Sequence, residues 1–264
     1  MSGTPGFDNV TLIKKRFNAL APEEWDDFIR VYSSDSRSAV QTLVRQAEKK
    51  KAALVQEKER TKRLYYFEEK YHDAGYICGI DEVGRGPLAG PVCAGAVILP
   101  VDEQVLYLND SKKLSEKRRE EMAPLIKEKA LAFATAFVEP ARIDEINILQ
   151  ATYEAMTAAV HALEERFRIR PNVLLIDAVH IPQLEAYKQV SIVHGDAQSA
   201  SIAAASIVAK VERDRLMKEY DKTYPVYGFA GNKGYGAAAH IEALKKFGPC
   251  PIHRKTFVAS VLSH

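Results

Sequence analysis

Residues 79–92 read Gly-Ile-Asp-Glu-Val-Gly-Arg-Gly-Pro-Leu-Ala-Gly-Pro-Val, joining two adjacent carboxylates to a glycine-framed arginine between two apolar runs. Regular strand geometry sends Asp81 and Glu82 to opposite faces, so the pair shares one site only where a strand ends and the chain turns. The glycines supply that turn. Carboxylates held so close repel, and one stays protonated unless a divalent cation holds both. Oxygen ligands of this kind suit Mg2+ or Mn2+. The competing reading is a solvated acidic turn. A dinucleotide loop is excluded: the glycine order is GxGxxxG, Pro87 and Pro91 stand where a helix would run, and 92–99 reads as a strand. Gly231-Asn232-Lys233-Gly234 lacks the spacing and following hydroxyl of a P-loop.

At 264 residues the chain suffices for one sizeable core plus a small accessory domain. No run is long and apolar enough for a membrane span, and 1–10 lacks the basic start and apolar stretch of a secretory signal, so a cytoplasmic protein is expected. Cys78, Cys93 and Cys250 form no CxxC pair and read as buried reduced thiols, which argues against zinc. The net charge is only +2, but residues 1–72 carry 14 Lys+Arg against 11 Asp+Glu. The basic excess lies in an N-terminal extension.

That extension, 1–70, reads as separable and helical: short helices over 11–20 and 23–32, a polar break at 33–38, then a long basic helix between 40 and 71 with Leu43, Ala47, Leu54 and Val55 as a thin apolar stripe. It ends in Leu64-Tyr65-Tyr66-Phe67. Two readings stand: an arm that tracks phosphates and stacks bases, or a docking helix whose aromatics pack on the main domain.

From 76 onward strands precede helices. Strands are expected at 76–81, 92–99, 131–138, 173–176 and 190–193, with helices at 115–129 (capped by Ser115), 148–168 and about 199–222. Met156, Ala159, Val160, Leu163 and Phe167 recur at helical spacing, so Met156 reads as core. The order gives a mixed α/β sheet with helices on both faces. In such sheets function sits where strands end, and Asp81, Asp177 and Asp196 each follow a strand. Asp196 lies just before a helix, whose free N–H groups and dipole favour an ionised carboxylate. Each acid alone reads as a turn residue or cap; three at strand ends call for a cation.

The chain resembles the bacterial ribonuclease HII enzymes. The matching segments are residues 79–92, Asp110-Ser111-Lys112-Lys113-Leu114-Ser115, Leu175-Ile176-Asp177, Gly195-Asp196-Ala197, residues 201–214, Gly234-Tyr235-Gly236 and His253-Arg254-Lys255-Thr256-Phe257. The resemblance implies a ribonuclease H-like fold with a mixed five-stranded sheet over 71–264, ending in a helical C-terminal part, plus the helical extension some members carry. It implies a site of Asp81, Glu82, Asp177 and Asp196 holding two divalent ions, Mn2+ or Mg2+, in the substrate complex. Gly84, Arg85 and Gly86 match the motif that senses the 2′-hydroxyl. Tyr235 matches the tyrosine packing under the adjoining deoxyribose; on its own it reads as a core aromatic. Lys112 and Lys113, with Lys210, Arg213 and Arg254, are candidate phosphate contacts or solvated charges, and Asp214 an ion-pair partner. Ser111, Ser201 and Ser206 read as turn, cap or packing residues. Two positions depart from the pattern: Ala178 replaces a usual glycine and Ala237 a frequent threonine.

The expected activity is metal-dependent cleavage of RNA in RNA–DNA hybrids and 5′ to single ribonucleotides in duplex DNA, leaving 3′-hydroxyl and 5′-phosphate. It would serve to remove misincorporated ribonucleotides and RNA primers. The expected partners are those duplexes, and a monomer with no membrane association is the default. A non-catalytic hybrid- or junction-binding module is the rival, disfavoured by the full carboxylate set. A phosphoesterase for small molecules sits badly with the basic extension.

Overall fold

The structure, a computed structural model, describes residues 8–262. The chain forms two compact units, Met1–Arg60 and Thr61–His264.

In the first unit α1 (Val10–Ala19), α2 (Trp25–Tyr32) and the start of α3 (Ser38–Leu64) enclose Ile13, Phe17, Phe28, Tyr32, Val40 and Val44. Asn9 caps α1 by accepting from Leu12 N at 2.8 Å. Beyond this small core α3 is polar, and Lys49, Lys50, Lys51 and Lys58 are exposed.

The expected single helix to residue 71 instead breaks after Leu64. Tyr65 leaves helical geometry (ψ +7°) and α4 (Tyr66–Lys70) follows. Packing explains the break. Leu64 and Tyr65 are buried with Val97, Val105, Met122 and Val208, and the Tyr65 hydroxyl accepts from Val105 N at 3.0 Å. Phe67 and Tyr71 cover Ile77, Val173 and Ile202. Only Tyr66 of the aromatic cluster remains largely exposed.

The second unit is built on β1 (Ile77–Val83), β2 (Val92–Ile98), β3 (Ala132–Val138), β4 (Val173–Asp177) and β5 (Lys188–Ile192), in the order β3-β2-β1-β4-β5. β1, β2 and β3 pair antiparallel; β4 and β5 continue parallel from β1. The expected mixed five-stranded sheet is present. α5 (Glu116–Lys129) is capped by Ser115 as its sequence predicts. α6 (Pro140–Phe167) covers one face, and α7 (Ala200–Thr223) the other. Within α6, Asn147 has φ +68°, and its carboxamide oxygen accepts from Leu149 and Gln150 N. The amphipathic stretch from 148 therefore starts as a freshly capped helix. Met156 is fully buried against Ile80, Ala94 and Leu174.

α7 is the sheet's central prop. Its Ser201-Ile-Ala-Ala-Ala-Ser206 run is buried, and the strands below it carry Gly79 and Gly95. A Cβ on Gly79 would stand 2.5 Å from Ser201 O, and one on Gly95 2.5 Å from Ala205 O. Small residues on both surfaces let helix and sheet backbones approach closely. The C-terminal helices α8 (Phe229–Asn232), α9 (Ala238–Phe247) and α10 (Lys255–Leu262) gather around Leu88, Met217, Phe229 and Leu244. Cys78 and Cys93 are buried free thiols and Cys250 a half-buried one.

Candidate active site

β1 pairs with β2 through Val83↔Cys93 but with β4 only as far as Ile80↔Ile176. Asp81 and Glu82 thus lie inside the strand, not beyond its end as expected. The opening comes from the neighbour: β4 stops at Asp177, one register step later, beside Asp81. β5 ends at Ile192, and the turn Gly195–Ala197 brings Asp196 back toward β4, where Gly195 N donates to Asp177 Oδ1 at 2.7 Å. Three adjacent parallel strands therefore deliver Asp81, Asp177 and Asp196 to one end of the sheet, with Glu82 next to the first.

Asp81 is 5% exposed. Burial, and then the charges of Glu82 and Asp177, push its carboxyl well above the usual range, against the lowering effect of hydrogen bonds from the Ser206 hydroxyl and Glu82 N. Glu82 is raised by burial and by Asp177 although Arg85 Nη1 lies 3.4 Å from its Oε1. Asp196 is raised by burial, then by Asp110 and Asp177, with Lys112 opposing. Lys112 answers the same field: burial works against its charge, but Asp81, Asp196, Asp110 and Asp177 together raise its pKa. Among the described residues no group of three or more His, Cys, Asp or Glu side chains is already arranged to hold an ion.

Asp196 does not receive the helix N-terminus expected for it. Ser199 caps α7, and Glu68 from α4 accepts from Ser201 N at 2.8 Å and from the Ser199 hydroxyl at 2.6 Å. The dipole is already answered by a buried carboxylate that lies far away in sequence.

Glu82, Gly84, Arg85, Gly86, Lys112 and Tyr235 line a cleft of about 230 Å³, together with Ser111, Ser206 and Lys210. The Tyr235 ring is 45% exposed and flanks Gly86, whose absent Cβ would lie 3.7 Å from Tyr235 Cε1. It is a surface aromatic, not a core one. Lys113 is exposed and does not line this cleft.

Arg213 and Arg254 are corrected by the structure: both are fully buried and face backbone, so neither is offered to a phosphate. Arg213 donates to the carbonyls of Pro91 (2.9 Å), Lys233 (3.0 Å) and Ala89 (3.2 Å). Arg254 donates to those of Gly84 (2.5 Å), Arg85 (2.8 Å) and Gly90 (2.8 Å). Burial and then Arg213 depress the Arg254 pKa to about 9. These two guanidiniums hold the loop after β1 in shape, satisfying carbonyls that a glycine-rich turn leaves without regular partners. Lys210 is half-buried and bonded to Asp214 at 2.6 Å, the ion pair expected of Asp214.

Sequence reasoning missed three contributors. Ser206 bonds Asp81 and, at 2.8 Å, Ser111; Asp110 faces Asp196; Glu68 braces α7. Asp110 had a readable signal: it starts the segment that carries Lys112, whose N–H it accepts at 2.8 Å in an Asx turn.

The family profile described as Ribonuclease HII matches residues 78–260, and that of the Ribonuclease HII N-terminal domain matches 9–72. The chain is similar to Ribonuclease HII of Lachnoclostridium phytofermentans, 55% identical over 88% of this chain and 89% of that protein. Among solved structures it resembles ribonuclease H2 from Pyrococcus horikoshii OT3, with TM-score 0.58 and 25% identity over 71% of this chain and 97% of that one. It also shares its fold with Bst-RNase HIII, a structure in complex with Mn2+, at TM-score 0.54 and 17% identity over 73% and 71% of the two chains. With the acids gathered at one end of the sheet beside the glycine-framed arginine and both parts of the chain matched, the protein belongs to the ribonuclease HII family, endonucleases of the ribonuclease H class.

Proposed function

We propose that the protein cleaves the RNA strand of RNA–DNA hybrids and cuts 5′ to single ribonucleotides embedded in duplex DNA, leaving 3′-hydroxyl and 5′-phosphate. The observation that carries this reading is the gathering of Asp81, Asp177 and Asp196 from adjacent strands at one end of the sheet, beside the cleft of Gly84, Arg85, Gly86 and Tyr235. Asp81, Glu82, Asp177 and Asp196 would hold divalent ions. Their chemistry fits: the donors are all hard carboxylate oxygens, and three of the four are disfavoured as anions by burial and by one another. Mn2+ or Mg2+ bound there would supply Lewis-acid polarisation of the scissile phosphate and charge stabilisation at the leaving oxygen.

The protein's own residues supply recognition and orientation. Gly84 and Gly86 let backbone groups approach a ribose closely, and Arg85, partly exposed, is free to turn from Glu82 to a phosphate. Tyr235 would pack against the neighbouring sugar. Lys112, held among carboxylates, remains cationic and would face the phosphate that enters with the metals. The basic face of α3 in 1–70 would track the duplex backbone, with a salt-dependent share of affinity. Such work suits a cytoplasmic monomer engaged with duplex DNA.

The test is cleavage of a labelled duplex with one ribonucleotide, beside an all-DNA control, in Mg2+, Mn2+ and EDTA. A metal-dependent cut 5′ to the ribonucleotide, lost in Asp81→Asn with duplex binding kept, is expected. Binding without any cut would reject the catalytic reading.

A further inference from the structure

His240, on α9, and His253, just before α10, take part in nothing described so far. Both rings are buried (0% and 3% exposed) among Tyr227 and Phe229. Their nitrogens form a chain whose direction the backbone sets. Cys250 N–H, which is only a donor, lies 2.9 Å from His253 Nδ1. That nitrogen also has Cys250 O at 3.3 Å, so the far end of the chain sets the direction: the Tyr235 carbonyl only accepts, His240 must carry its proton on Nδ1, and His253 therefore carries its own on Nε2 and accepts at Nδ1. His253 Nε2 faces His240 Nε2 at 2.9 Å and donates to it. His240 Nδ1 donates to the Tyr235 carbonyl at 2.7 Å. Burial lowers the pKa of both rings, that of His253 to about 4 with help from His240, so both are neutral near pH 7 and the single direction holds.

The same short segment touches the other half of the cleft. Residue 253 bridges Ala89, and the next residue, Arg254, grips the carbonyls of Gly84, Arg85 and Gly90. From the opposite side Gly234 O accepts from Leu88 N at 2.8 Å. The turn at 84–86 and the peptide of Tyr235 are thus referred to one anchor.

We propose that His240 and His253 are positioning residues for substrate recognition, a two-ring relay that holds the Tyr235 peptide in register with the 84–86 turn so that both read the same nucleotide step. The relay touches no substrate itself. It rests on the recognition role given to Tyr235 and residues 84–86 above, and it acts by restricting where the tyrosine ring stands, since a ring displaced by an ångström no longer meets the sugar it packs against.

A double-mutant cycle tests this. His240→Phe keeps a ring among Tyr227 and Phe229 and removes both nitrogens. It is expected to lower kcat/KM on a duplex with one ribonucleotide by roughly three- to tenfold, the size of one neutral hydrogen bond's net contribution, mainly through KM. In a Tyr235→Ala background the same substitution is expected to change kcat/KM by less than about twofold, because no ring remains to be placed. His240→Asn, which offers a donor near the position of Nδ1, is expected to recover most of the loss. Equal factors in both backgrounds, or a loss confined to kcat, would overturn the relay while leaving the role of Tyr235 standing. A Tyr235→Ala enzyme with unchanged kcat/KM would overturn that role and the relay with it. Should His240→Phe fail to fold, the cycle runs with His253→Asn, which still accepts from Cys250 N–H but is too short to reach His240.

Discussion

Gly84→Ala measures how firmly the loop after β1 is clamped. Gly84 has φ +91°, where an L side chain is strained by about 1–2 kcal/mol. The new Cβ would overlap the Arg213 side chain, lying 2.7 Å from Cδ and 2.9 Å from Cζ. A flexible surface arginine would swing aside at little cost. Arg213 is fully buried, and its guanidinium is committed to the carbonyls of Pro91, Lys233 and Ala89. Moving it loosens at least one bond from a charged donor, each contributing about 1.5–3 kcal/mol. The sum is about 2.5–5 kcal/mol, which in a chain of this size lowers Tm by roughly 10 °C. Thermal melting reads it directly, with Gly231→Ala as control: a Cβ there meets nothing within 4 Å, and that residue has no positive φ. Activity is expected to fall further than stability, since the clamped carbonyls belong to the proposed ribose-reading turn. A Gly84→Ala protein melting within about 2 °C of wild type would refute the clamp.

Two further outcomes follow from local chemistry. Ala178 holds φ +54° directly after Asp177, so Ala178→Gly is expected to stabilise by about 0.5–1 kcal/mol and raise Tm by roughly 2 °C; a lower Tm would contradict the strain assigned there. His253, depressed in the folded state from 6.5 to about 4, leaves the unfolded chain holding more protons between those values; stability is therefore full above about pH 6.5 and is lost as pH falls toward 4. Melting temperature against pH is expected to fall less steeply over that window in His253→Asn, and an unchanged slope would remove the residue from the acid response.

The chemistry proposed for the site could be suggested from sequence because its signal is local. Residues 79–86 place two acids, a turn and an arginine in eight positions, a pattern that suggests a shared task although the segment alone also reads as a solvated acidic turn. The apolar run before Asp177 and the helical spacing around Met156 were likewise readable, since strand and helix periodicities are written in consecutive residues. The order of the strands was not readable that way; the family resemblance implied only a mixed five-stranded sheet, and the structure supplies the order. Only the sheet order β1-β4-β5 brings Asp177 and Asp196 beside Asp81, and that depends on which strand edges pair. The charged side chains misled for a related reason. Arg213 and Arg254 look like phosphate ligands in a list of residues, but tertiary packing buries them against carbonyls that the glycine turns leave open. Glu68 looks like one acid of a basic arm, yet it closes the N-terminus of α7 from well over a hundred residues away. The sequence by itself pointed to the groups proposed to do chemistry, because that proposal follows from functional groups and short spacings. The tertiary structure decided which charges stay exposed at the cleft and which hold the scaffold, because burial and partnership are properties of surfaces brought together from distant parts of the chain.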